Sequence, residues 1–286
     1  MGSLNVIQNG WLTTVQDRGR SGLAYYAFPT SGSMEATAAE WALDLVGVDQ
    51  QQPLLECAAT APQLQFNDPT LIALTGADFG WKLNAISLKT NRYYEVKAGD
   101  MLTGTVAVTG GYGYVAIRGS LLVDRFANSA ATYVPLRWGG FRGRPLRRGD
   151  RLAWTEWSEH QIPLPSRTKA FPNATHIPLQ AGPEWSWLSA SAKRQFLENS
   201  YSISTNSNRM GARLRGNPLP PLRTRLRSSV PVLPGFVQLP PDGQPIVILR
   251  DGQTTGGYPR IAYLRPPAVC ALVSLGCGRT FQFTMT

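Results

Sequence analysis

Soft metal ligands are scarce in this sequence. Its 286 residues include three cysteines, Cys57, Cys270 and Cys277, and two histidines, His160 and His176. Three unevenly spaced cysteines frame neither a disulfide-stapled domain nor a four-ligand zinc site, so they read as buried free thiols. Both histidines fall in a proline-rich stretch, which leaves no HExxH motif and little scope for a Ser-His-Asp triad. No metal is expected. A GxxxxGK[ST] phosphate loop and a GxGxxG fingerprint after a strand are also missing. No apolar run approaches the roughly 18 residues of a membrane span, and the opening MGSLNVIQNG lacks the apolar centre of a secretion signal. Val6 stands where myristoylation requires Ser or Thr. The expectation is a soluble cytoplasmic protein with no membrane partner. Its chemistry then rests on carboxylates, arginines, amides, hydroxyls and backbone N–H groups.

Acidic residues are the next shortage. Asp and Glu total 18 against 28 Lys and Arg, a net charge of +10. No acidic residue occurs between Glu198 and Asp242, where Arg209, Arg213, Arg215, Arg223, Arg225 and Arg227 are found. Such an excess suits an anionic ligand, an acidic protein partner or a solvated basic face. Nucleic acid is not expected as a partner, because NPLPPL interrupts the stretch and no helix-turn-helix or aromatic RNA-binding signature accompanies it.

Helical periodicity is rare as well. The best helix is SMEATAAEWALDLVG, where Met34, Ala38, Trp41, Ala42 and Leu45 share a face, Ser33 is placed to cap and Gly47 to terminate. SASAKRQFLENS is a weaker second. β-Branched and aromatic runs dominate instead. TLIALTGAD, TGTVAVTGGYGYVAIRG, GFVQLPPDGQPIVIL and CALVSLGCGRTFQFTM read as hairpins, and 28 glycines with 22 prolines fit many short strands. Periodicity lapses between Trp157 and Pro183, which reads as a connection between two β-rich halves. The predicted organisation is a β-rich subdomain over 1–160, a proline-rich connection over 161–180, and a second β-barrel subdomain over 181–286.

Polar motifs cluster in four places: TTVQDRGRSG at Thr13, LTGAD at Leu74, SNRMGARLRG at Ser207 and DGQTTGGYPRIA at Asp251. The last lies in RDGQTTGGYPR, a polar, glycine-rich connection between PIVIL and IAYL that is long for a hairpin turn. With SGSME at Ser31, LLE at Leu54, GGFRGRPLRRGDRL at Gly139, AGPE at Ala181 and PPDGQPIVIL at Pro240, these motifs resemble the family of 5-oxoprolinase C subunits. That family is also described as KipA-like, as allophanate hydrolase subunit 2, and as subdomains A and B of a carboxyltransferase region.

The resemblance implies a mainly β fold of two barrel-like, cyclophilin-like subdomains with few short helices. It implies a heteromeric enzyme that uses ATP to open 5-oxo-L-proline to L-glutamate. In it this chain would work with two partner subunits, B (KipI-like) and A (lactam-utilization type). Two other functions stay open: a non-catalytic regulatory protein that binds a KipI-like partner, and a carboxyltransferase component working with biotin. The site residues expected are Asp78, Glu56 and Arg209 for catalysis, and Asn208, Gln253, Thr254, Thr255, Gly256, Gly257, Tyr258 and Arg18 for substrate binding. Each has a structural alternative. Asn208 and Arg209 either grip a carboxylate or phosphate or close a turn; Asp78 either acts on the lactam nitrogen or closes one. Gly256 and Gly257 would admit a ligand or adopt positive φ, and Tyr258 would stack on a flat ring. The chain departs from the family pattern in having Ala130, Pro178, Ser229 and Gly252 where two arginines, a glutamate and a further arginine are expected. Losing charge while keeping the glycine framework predicts a retained fold with altered or weakened chemistry.

Overall fold

A computed structural model describes all residues except 156–173 and 223–225. His160, Arg223, Arg225 and most of the expected 161–180 connection therefore lie outside the described residues. The chain divides into two compact units, one comprising Met1–Arg20 and Ser31–Phe171, the other Ser21–Thr30 and Pro172–Thr286. It is mainly β with few helices, and no helix among the described residues is long and apolar enough to cross a membrane.

The first unit is built on two sheets. One has seven strands, in the order Ser120–Leu121, Arg151–Thr155, Gly2–Gln8, Gln63–Phe66, Met101–Thr103, Lys82–Leu83 and Ile86–Ser87. The other has five, in the order Leu12–Gln16, Leu54–Ala58, Thr109–Ile117, Thr70–Asp78 and Arg92–Val96. Strand alternation explains how they pack. In the five-stranded sheet, Ile72, Leu74, Val115 and Ile117 join Leu4, Val6, Leu64 and Phe66 of the other sheet in one core. Ala73, Tyr114 and Ala116 point the opposite way, against helix α1 (Ala36–Val46), where they meet Ala38, Ala42 and Leu43. Both faces are covered, so these strands read as nearly continuous apolar runs.

Helix α1 forms where its periodicity placed it and ends at Gly47, which sits at φ +68°. Its cap differs from expectation. Glu35, not Ser33, accepts from the Thr37 and Ala38 N–H groups, because the first helical residue is Ala36. A carboxylate there also suits the positive end of the helix dipole.

The second unit is a closed barrel. Its strands run His176–Ala181, Arg260–Tyr263, Phe236–Gln238, Ile246–Ile248, Gly211–Arg215, Tyr201–Ile203 and Thr280–Met285, the last pairing in parallel with the first. His176 thus begins a strand rather than lying in a connection. Phe196 of helix α2 (Ala190–Glu198) stacks on Phe283, with ring centroids 5.1 Å apart, and Tyr201 and Phe281 complete the aromatic cluster.

Three of the four predicted hairpins are corrected. CALVSLGCGRTFQFTM is a helix followed by a strand: helix α3 (Pro266–Leu275), then Thr280–Met285. Proline in the first turn and Gly276 at the end delimit α3, and Ala268, Val269, Leu272 and Val273 form its buried face. TGTVAVTGGYGYVAIRG does not fold on itself, since Met101–Thr103 and Thr109–Ile117 belong to different sheets. GFVQLPPDGQPIVIL is a hairpin, with Val237 opposite Val247, and TLIALTGAD is a single strand between two neighbours. Cys57 and Cys270 are buried and Cys277 is exposed, none of them joined in a disulfide.

Glu184 shows how ion pairs support the barrel. Its carboxylate accepts from the Arg260 backbone N–H at 2.8 Å and from both Nε and Nη2 of the same side chain, at 3.0 and 2.8 Å. Burial pushes its pKa up, but the Arg260 fork outweighs burial and holds the carboxyl below the ordinary glutamate range. A carboxyl with a lowered folded-state pKa stabilises fully above its unfolded pKa and loses that contribution as pH falls through the folded value. Glu184→Gln is therefore expected to lose about 1–3 kcal/mol at neutral pH. Urea midpoints measured across the acid range should show the difference from wild type shrinking as pH drops.

Candidate functional site

In the second unit, the segment from Arg250 to Arg260 is not a hairpin loop. The strands it joins, Ile246–Ile248 and Arg260–Tyr263, both pair with Phe236–Gln238 and lie on either side of it. The connection must cross one strand, which accounts for its length. Its backbone is held at several points. Val232 N–H donates to the Thr254 carbonyl, Thr255 and Gly256 pair with Pro231 and Val230, and the Gln238 amide donates to the Tyr258 carbonyl. Thr30 adds a hydroxyl bond to the Arg250 carbonyl.

Asp251 anchors the start of this segment. It accepts from Arg209 Nε at 2.8 Å and Nη2 at 3.1 Å, and its own N–H donates to the Arg209 carbonyl. Both side chains are about 6% exposed, which makes this a buried two-bond ion pair. Arg209 thus has its guanidinium turned onto Asp251. Asn208 is exposed and closes the adjoining turn, its Oδ1 accepting from Met210 and Gly211 N–H. Of the two expectations for these residues, the turn and brace are what the geometry displays. Asn208, Arg209 and the Asp251 segment are brought together at one end of the barrel.

With the backbone held inward, the side chains of Gln253, Thr255 and Tyr258 are exposed, as is Gly257, and Thr254 is half-buried. Of the two roles expected for the glycines, positive φ is taken by neither. Gly256 is needed for close approach to the protein itself, since a Cβ there would lie 2.6 Å from Gln238 Nε2. Gly257 faces open space. A pocket of about 250 Å³ opens beside it, lined by Leu222, Leu226, Leu239, Pro240, Gly257 and Tyr258 among others, and none of its described lining residues is charged. Leu222 and Pro240 are legible in sequence only as parts of proline-rich turns; no periodic signal marks them as lining a pocket.

Gly252 is packed closely. A Cβ there would lie 2.5 Å from Ile248 Cγ2 and 2.9 Å from the Met210 carbonyl. The arginine expected at this position would have to displace backbone, so the segment's closed path and the loss of that charge go together. Ala130 is similarly enclosed, a member of the first unit's core whose N–H donates to Asp17.

The first unit holds the remaining candidates. Glu56 is 2% exposed, and its Oε2 accepts from Met34 N–H at 2.7 Å and from the Tyr114 hydroxyl at 2.9 Å. That hydroxyl in turn accepts from Glu35 N–H at 2.8 Å. Burial, reinforced by the Glu56 and Glu35 charges, raises the Tyr114 pKa well above that of an ordinary phenol. This chain of bonds fixes the approach to α1. The same burial, opposed in part by a hydrogen bond with Thr13, pushes the Cys57 thiol up to about 12, which makes it inert. Asp78 is half-buried, and its Oδ1 accepts from Gly80 N–H at 2.8 Å, closing the turn after its strand. Arg18 is exposed and reaches Gln50 and Glu40, the latter at 3.2 Å. Asp17, which binds Gly19, Ser129 and Ala130, carries no distinguishing signal in the sequence, yet it ties TTVQDRGRSG to the stretch around Ala130.

Residues 26–285 match the family described as carboxyltransferase domain, subdomain A and B. The chain is 34% identical over 280 residues to the C subunit of 5-oxoprolinase from Escherichia coli (strain K12), covering 98% of this chain and 90% of that protein. It is 30% identical over 277 residues to the Haemophilus influenzae counterpart of the same name, covering 94% and 87%. The crystal structure of Kluyveromyces lactis urea carboxylase superposes with a TM-score of 0.88 at 27% identity, over 99% of this chain and 27% of that one.

Proposed function

We propose, because the chain belongs to the carboxyltransferase domain subdomain A and B family, that it serves as the C subunit of an ATP-dependent 5-oxoprolinase. In this reading it works with partners of the B (KipI-like) and A (lactam-utilization) types to open 5-oxo-L-proline to L-glutamate. The observation that carries the proposal is end-to-end likeness. The alignment to the Escherichia coli 5-oxoprolinase chain takes in 90% of that protein, whereas the likeness to urea carboxylase takes in 27%.

Ring opening adds one water across the lactam C–N bond, giving the γ-carboxylate and the free amine, and a second water is consumed with ATP. An unstrained amide resists such attack, so the site must hold the ring while its carbonyl is activated. The pocket beside Tyr258 suits the holding role. Leu222, Leu239 and Pro240 cover apolar ring carbons, and Tyr258 offers an exposed aromatic face. Gln253 and Thr255, exposed on the same segment, supply amide and hydroxyl groups for a substrate's polar edge.

Purified chain combined with its A and B partners is expected to hydrolyse ATP in a 5-oxoproline-dependent manner, and omission of this chain to abolish it. Absence of coupled hydrolysis by the full set would sink the proposal. Tyr258→Ala should raise KM for 5-oxoproline roughly three- to tenfold, as expected for loss of an aromatic contact. A second reading, a regulatory protein that binds a KipI-like partner without turnover, is favoured by the enclosed Gly252 and Ala130, which leave no room for the charged residues expected there. It predicts a stable binary complex and altered partner activity with no hydrolysis by the complete set.

A further inference from the structure

In the first unit, Arg137, Arg142, Arg144 and Arg147 line one cavity of about 300 Å³. Like charges gathered around a concave surface repel one another, and guanidinium groups do not escape by losing a proton. Asp150 offsets part of this charge. Its carboxylate receives Arg144 Nη1 and Nη2 at 2.7 and 2.8 Å and the Arg147 N–H at 2.7 Å. No ion pair to Arg137, Arg142 or Arg147 occurs among the described residues.

The segment carrying these arginines is held in one shape. Arg137 and Arg142 both adopt left-handed backbone, at φ +54° and +55°, a region that costs a residue with a Cβ about 1–2 kcal/mol. Gly143, at φ +64°, packs against the Arg137 backbone so tightly that a Cβ there would collide with it. Leu146 inserts into the core, and the partly buried Phe141 packs on the same core while its ring lies 5.3 Å from the guanidinium carbons of both Arg142 and Arg144. Strained backbone, an aromatic support and a shared carboxylate thus fix the backbone of a cationic cup, from which the exposed Arg137, Arg142 and Arg147 side chains reach solvent.

We infer that this cup binds the phosphate groups of a small anionic ligand, with Arg142 and Arg147 as principal contacts and Arg144 held ready by Asp150. Guanidinium groups match phosphate oxygens with paired N–H donors. A compact cavity favours a small molecule over an extended acidic peptide. The inference does not depend on the proposed 5-oxoprolinase role.

Calorimetric titration of the full chain with inorganic pyrophosphate tests it, with inorganic phosphate as a second arm to separate one phosphate from two. Pyrophosphate is expected to bind more tightly than chloride at matched ionic strength, and Arg142→Gln with Arg147→Gln to weaken it on the order of tenfold or more. Arg148→Gln, a neighbouring charge outside the cavity lining, should leave affinity within about twofold of wild type. If the glutamine pair fails to fold, Arg142→Lys with Arg147→Lys keeps the charge and should still weaken binding severalfold by removing the fork. Wild-type binding no tighter than chloride, equal weakening by Arg148→Gln, unchanged affinity in the folded lysine pair, or stronger binding of an oligoglutamate that displaces pyrophosphate would each overturn the assignment.

Discussion

Arg209→Ala is expected to lose about 3–5 kcal/mol of stability, because it leaves the Asp251 carboxylate buried without its guanidinium. Asp251 is 5% exposed, so water cannot replace both hydrogen bonds without opening the segment that runs to Arg260. The loss should be read as a fall in the urea or thermal midpoint of the purified chain. A paired apolar replacement, Arg209→Met with Asp251→Leu, removes both charges and should recover most of it. The assembled system adds a second readout. If Arg209 only braces the loop, the folded double variant retains 5-oxoproline-dependent ATP hydrolysis; if Arg209 grips substrate, activity vanishes although the fold persists.

Glu56 lends itself to the same kind of separation. Glu56→Ala removes the acceptor for the Met34 N–H and the Tyr114 hydroxyl in a place closed to solvent, and leaving a buried donor unsatisfied costs about 1–3 kcal/mol each. A loss of roughly 3 kcal/mol or more is expected once the vacated volume is included. Glu56→Gln keeps an acceptor oxygen and should cost less. Were Glu56 a catalytic base, the glutamine variant would fold well and turn over nothing; retained turnover in that variant assigns the residue to architecture. Chemical denaturation together with the coupled assay distinguishes the two.

The pattern of what can be read from sequence has a physical origin. Helix α1 is legible because Met34, Ala38, Trp41, Ala42 and Leu45 repeat over three turns, and the hairpin around Pro240–Gly243 because its turn chemistry is local. Helix α3 escapes such a reading because Val269 and Val273 carry strand propensity that burial overrides. Strand partners are less accessible still. Nothing local tells Met101–Thr103 and Thr109–Ile117 to join different sheets, or places Phe236–Gln238 between the strands that RDGQTTGGYPR connects. The candidate site follows the same division. SNRMG and QTTGGYP are visible as polar, glycine-bearing motifs, yet the Arg209–Asp251 pair spans 42 positions and only coordinates reveal it. The cavity of four arginines is present in sequence as GGFRGRPLRRGD, without a sign that those side chains face one space.

The parallel pairing of His176–Ala181 with Thr280–Met285 sets a condition on biosynthesis. A ribosome delivers the first of these strands roughly a hundred residues before the last, and until the final segment leaves the exit tunnel the sheet has two bare edges. Such edges invite pairing with other chains, and long sequence separation slows their joining. The Thr280–Met285 strand, bonded to Tyr201–Ile203 on its other side, therefore acts as a clasp. A chain in which that strand fails to pair leaves its circumference unsealed, prone to clump rather than merely to work less well.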